Sequence, residues 1–110
     1  MNTNELEPHS VFQRPWEATT PTLATAAEQQ LRRELPGGHR LVGVRAATVA
    51  HRCDCDDVLF RVGSPPYRYA VVHLTYTTNI TSDYPSTELF DSFDDFIQRR
   101  LQPDITDYNL

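Results

Sequence analysis

The chain has 110 residues, a formal charge of −5, 39% apolar residues and 23% charged residues, enough for one domain whose core needs neither disulfides nor a structural metal. Every basic residue is an arginine, which excludes a lysine Schiff base or lysine general base from this chain. Residues 1–55 carry six acids and six arginines, residues 56–110 nine acids and four arginines, so an acidic second half with no Arg–aromatic stripe disfavours nucleic acid and suits a basic partner.

The opening "MNTNELEPHSVFQRPWEATTP" mixes Pro8, Pro15 and Pro21 with polar residues and no periodicity, which predicts an irregular arm over 1–19. Its rings, Phe12 and Trp16, are costly to leave in water, so the arm lies over its own domain or offers them to a partner. No basic segment runs into an apolar stretch, and no run nears the roughly 18 apolar residues of a membrane span. The expectation is a cytosolic, soluble chain with no membrane contact.

In "TPTLATAAEQQLRRELPGG", Thr20 is placed to cap a helix and Pro21 suits its first position. Leu23, Ala24, Ala27, Leu31 and Leu35 fall on one stripe, and Pro36, Gly37 and Gly38 end the helix. "RLVGVRAATVAHR" predicts a strand over 41–51, with a bulge where Gly43, Ala46 and Ala47 blur the alternation. "DVLFRV" predicts a second, with Val58, Phe60 and Val62 on one face. "GSPP" turns the chain, and "YRYAVVHLTYT" predicts a third, with Ala70, Val72, Leu74 and Tyr76 toward the same core.

"TNITSDYPSTE" reads as a loop, and Leu89 and Phe90 as an extended lead-in. In "DSFDDFIQRRLQP", Ser92 caps a helix with Asp95 three residues on, Phe93, Phe96, Ile97 and Leu101 form its stripe, and Pro103 ends it. The expected fold is α+β: a two-layer α-β-β-β-α domain over 20–103, a three-stranded antiparallel sheet with both helices on one face, and a tail over 104–110.

The densest chemistry lies in "AHRCDCDDVLF". His51, Cys53 and Cys55 are zinc-type ligands within five residues, but C-x-C lacks the turn-forming spacer of a zinc knuckle, and a fourth ligand would have to be Asp56, Asp57 or His73. Aspartates favour turns and oppose thiolate formation, so a hairpin turn with reduced cysteines is the leading interpretation. A metal site and a redox thiol remain the alternatives. His73 falls on the face opposite Val72 and Leu74, near the same sheet end as Asp57, where the two could form a proton-transfer pair or a structural one. No nucleophile elbow, phosphate loop or H-E-x-x-H is present; Ser64 lies at the far end of the hairpin from His73. Asp94 and Asp95 are accounted for by the helix N-terminus.

At "DDVLF", "VVHLTY" and "YPSTELFDSFDDF" the chain resembles a family of short uncharacterised bacterial proteins over about residues 20–103. That resemblance implies a cytosolic bacterial domain and supplies no catalytic residues. "SFDDFI" is also similar to the last helix of SMI1/KNR4-like immunity domains, which implies protein–protein binding. The leading expectation is an accessory domain without catalytic function or cofactor that binds a protein partner or itself through Phe12 and Trp16. Its rival is a small metal-binding (zinc) or hydrolytic protein with a site formed by His51, Cys53, Cys55, Asp57 and His73.

Overall fold

The computed structural model describes residues 7–77 and 81–110. After a single 3-10 turn at His9–Val11, the elements are β1 (Trp16–Ala18), α1 (Pro21–Glu34), β2 (Ala46–Arg52), β3 (Asp57–Ser64), β4 (Tyr67–His73) and β5 (Ser86–Phe90). A C-terminal helix follows in three pieces: α2 (Phe93–Phe96), a π-helical segment (Ile97–Leu101) and α3 (Gln102–Tyr108). The class is α+β, as expected. The sheet has five strands rather than three, all antiparallel, in the order β1-β2-β3-β4-β5.

The first extra strand comes from a stretch that reads as irregular, and the second joins the end of the expected loop to the extended lead-in at Leu89 and Phe90. Trp16–Ala18, in the expected arm, pairs with Ala50–Arg52, because burying the Trp16 ring sets the strand beside β2. Ser86–Phe90 pairs with Tyr69–His73; its Leu89 and Phe90 bury on opposite faces, which outweighs the loop-like composition before them. Residues 1–6 of the arm and 78–80 of the expected loop lie outside the described residues. The expected strand over 41–51 starts only at Ala46, since the chain turns at 39–44 with Gly43 at φ +77°. The strand has a bulge, but between Thr48 and Ala50 and not at Gly43, Ala46 and Ala47.

The helices lie on opposite faces, so there are three layers and not two. Beneath α1, Val58, Phe60, Val62, Ala70, Val72 and Leu74 bury with Leu31 and Leu41. On the other face, Leu59, Tyr69, Val71, Ala50 and Phe90 pack with Trp16, Phe96 and Leu101. The unbroken apolar runs "VLF" and "YAVV" are the sequence signature of strands covered on both sides.

The helix caps form as expected. Thr20 Oγ1 accepts from the Leu23 N–H at 3.3 Å, and Ser92 Oγ from the Asp95 N–H at 3.0 Å. Pro103 does not end the last helix, which runs on to Tyr108 through the residues expected to form a tail. A proline lacks the N–H and crowds the carbonyl four residues back, and the wider π turn just before it, with bonds one residue longer, makes room. No helix among the described residues is long and apolar enough to cross a membrane.

Candidate functional site

Two surfaces at the same end of the sheet, one on each face, hold the chemistry. On the face covered by the C-terminal helix, β3 and β4 place Asp57 directly opposite His73, and His73 Nδ1 lies 2.7 Å from Asp57 Oδ1. The other carboxylate oxygen accepts from Arg100 Nη2 at 2.7 Å. Burial alone would raise the Asp57 carboxyl, but Arg100 and then His73 outweigh it and hold it below its usual range. Asp57 is therefore ionised near neutral pH and can only accept, so His73 Nδ1 carries the proton and Nε2 offers a lone pair.

The pair belongs to a chain of alternating charges. Arg100 also reaches Glu88 at 3.2 Å and Asp104 at 3.1 Å. Asp104 accepts from Trp16 Nε1 at 2.9 Å and lies 3.1 Å from Arg52, and Arg52 forks onto Asp54 at 2.8 Å through both nitrogens. His73 sits at the open end of this chain, its side chain 53% exposed against 14% for Asp57, and its Nε2 has no protein partner among the described residues. Asp57, Val71, His73, Ser86, Glu88 and Arg100 line an open depression of about 370 Å³ there.

Ser86, like Arg100, is a site residue that the sequence alone does not place here. It is the first residue of β5 and stands opposite His73, so Asp57, His73 and Ser86 form one row across three neighbouring strands. Only recognising "STELF" as an edge strand, from its alternate burial of Leu89 and Phe90, would have placed it.

The rival metal set does not assemble. Trp16 pairs with Arg52 and Glu17 with His51; since Trp16 and Arg52 face the C-terminal helix, His51 faces α1, where it lies 3.4 Å from Glu17. His51 and His73 are thus on opposite faces and cannot share one ion. The cysteines also diverge: Cys53 Sγ lies 3.9 Å from the Tyr108 hydroxyl of the C-terminal helix, whereas Cys55 lines the cleft beneath α1. Among the described residues no group of three or more His, Cys, Asp or Glu side chains is arranged to hold a metal. Both cysteines are exposed and unpaired, in a turn as expected, and burial followed by the Asp57 charge pushes the Cys55 thiol up.

The Trp16 ring is buried in its own domain and the Phe12 ring is half-buried against it. Trp16 is 1% exposed, edge-on to Phe96 at 5.2 Å between ring centroids, and Phe12 packs edge-on against Phe93 at 5.9 Å. The arm closes its own domain because burying two large rings outweighs the entropy of fixing the segment.

A partly apolar cleft lies open on the α1 face. Leu23, Ala26, Ala27, Val58 and Tyr76 form the apolar wall of a cleft of about 340 Å³ between α1 and the β2–β3 turn. Leu23 and Tyr76, both expected in the core, are 47% and 60% exposed. Tyr76 adopts φ +57°, the only positive φ of a non-glycine residue among those described. Glu34 imposes it: its carboxylate, almost wholly buried, accepts from the Thr75 N–H at 2.6 Å, the Tyr76 N–H at 2.7 Å and Gln30 at 2.7 Å. The chain matches no protein-family model, no curated protein and no solved structure.

Proposed function

We propose that this chain is a small cytosolic binding domain for another protein and that the cleft between α1 and the β2–β3 turn is its recognition surface. The observation that carries this reading is Tyr76. A non-glycine residue in the left-handed region costs on the order of 1–3 kcal/mol, and the exposed ring recovers little of that by packing within its own chain. A buried carboxylate nevertheless fixes it beside Leu23 over a partly apolar cleft. Rigid aromatics flanking a pocket are the side chains that dominate protein interfaces, and a partner that buries the ring offsets the local strain. The likeness of "SFDDFI" to immunity domains points the same way.

A photo-crosslinking residue at position 23, in cells that express the chain, tests it. One discrete conjugate is expected, and its partner, once purified, should bind the parent protein and lose at least tenfold affinity for Tyr76→Ala, about 1.4 kcal/mol. His73→Gln should leave that affinity unchanged. Conjugates between copies of the chain alone would make the cleft a homo-oligomer interface. A purified partner indifferent to Tyr76→Ala would remove the cleft from the interface.

A further inference from the structure

The opposite face of the sheet carries a second surface, independent of the cleft. We infer that Ser86, His73 and Asp57 form an acyl-transfer site in which Ser86 is the nucleophile toward small neutral or cationic acyl esters. Residues directly opposite on neighbouring strands share a face, with Cβ atoms about 4.5–5.5 Å apart. The register sets Asp57 against His73 and His73 against Ser86, and all three line the same open depression.

The order of roles follows from the hydrogen bonds. Asp57, held on one oxygen by Arg100 and on the other by His73 Nδ1, fixes the ring and its tautomer, which leaves Nε2 as the base. Arg100 and Asp57 are positioning residues. The Ser86 side chain is exposed, and no described residue competes for its hydroxyl. A nucleophile standing directly across from a base, with a third group orienting that base, is the arrangement from which this chemistry starts. Asp57 and Glu88 in the lining disfavour a substrate that carries its own carboxylate.

In the first half-reaction Ser86 Oγ bonds to the acyl carbon and its proton passes to His73 Nε2. The C–O bond to the leaving alcohol then breaks, and the alcohol takes that proton. Water attacks the acyl-serine in the second half, giving a proton to Nε2; the acyl–Oγ bond breaks, Ser86 regains its proton and the carboxylic acid leaves. Ester plus water becomes acid plus alcohol, with no other reactant.

Two measurements test the site. A fluorophosphonate probe should add one adduct, located by peptide mass spectrometry on Ser86, in the folded parent protein, and at least tenfold less in His73→Gln. Hydrolysis of p-nitrophenyl acetate should fall at least tenfold in Ser86→Ala and in His73→Gln. Both changes are at exposed positions, and circular dichroism should report an intact fold, whereas Asp57→Asn would also disturb Arg100. Absence of the adduct, equal labelling of His73→Gln, or ester hydrolysis undiminished in Ser86→Ala would each overturn the inference. The last outcome would leave His73 acting as a simple surface imidazole.

Discussion

Tyr76 and Glu34 show how one buried carboxylate can decide the backbone of a distant turn. Glu34 is 1% exposed, and burial alone would raise its carboxyl. The hydrogen bonds from the Thr75 N–H, Gln30 and the Tyr76 N–H outweigh that and lower it. A charged acceptor facing two successive N–H groups is stronger than a neutral one, enough to hold a bulky aromatic where L-residues pay about 1–2 kcal/mol. Glycine has no such penalty, so Tyr76→Gly should raise stability by about 0.5–1 kcal/mol, measured by urea unfolding. Tyr76→Ala should not, since alanine keeps the Cβ that makes φ +57° unfavourable. Gain of stability with loss of partner binding in the glycine variant would separate the turn's two roles; an unchanged urea midpoint would show that the conformation carries no strain.

At the scale of elements, α1, β3 and β4 are legible in the sequence because their signals are local: a capping threonine before a proline, and apolar residues bounded by turn residues. That Asp57 and His73 lie at the same end of two adjacent strands was legible for the same reason, since "GSPP" joins those strands, but their direct pairing depends on a bulge between Arg61 and Ser64 that shifts the register by one residue. Arg100 and Ser86 were not, because each reaches the site through an element whose placement is tertiary: a helix on the second face, and a strand paired only with β4. The same holds for β1, three residues long and stabilised by burial of one indole rather than by strand propensity. Residues 20–103, which the sequence delimits as the domain, therefore omit both Trp16 and Asp104, whose side chains bond to each other at 2.9 Å across the core. Without them Ala50, Leu59 and Phe96 lose the ring that covers them. Removing a large buried aromatic alone costs about 3–5 kcal/mol, a large share of the 5–15 kcal/mol typical of a whole domain. A fragment of residues 20–103 should accordingly fail to give a cooperative thermal transition and should bind a hydrophobic dye, whereas the full chain should do neither. Cooperative melting of the fragment would mean that the arm is an accessory to a self-sufficient core.

Across the whole molecule, three carboxylates tie the layers together, each from a different segment. Glu34 joins α1 to the turn after β4, and Asp57 joins the sheet to the C-terminal helix through Arg100. Glu7 joins the arm to the sheet, forked onto Arg61 at 2.9 and 2.8 Å and accepting the Tyr69 hydroxyl. For all three, burial pushes the carboxyl up, but hydrogen bonds, joined by positive charges at Glu7 and Asp57, prevail and leave it lowered. A carboxyl lowered in the folded state binds its proton more readily when unfolded, so the unfolded chain takes up more protons as the pH falls. The stability that these groups contribute is complete above the unfolded values, about 4.3 for Glu and 3.9 for Asp. It is lost as the pH drops from there through the lowered folded values. The urea midpoint should therefore show no loss from these three groups between about pH 7 and 5.5. Below about pH 4.5 it should fall, each carboxylate adding a slope that approaches about 1.4 kcal/mol per pH unit. Glu7→Gln, Glu34→Gln and Asp57→Asn should each lower stability at pH 7 and make the acid limb shallower by one proton. Three single variants that keep the full acid slope would show that acid unfolding acts through other groups and that these contacts hold the layers by shape alone.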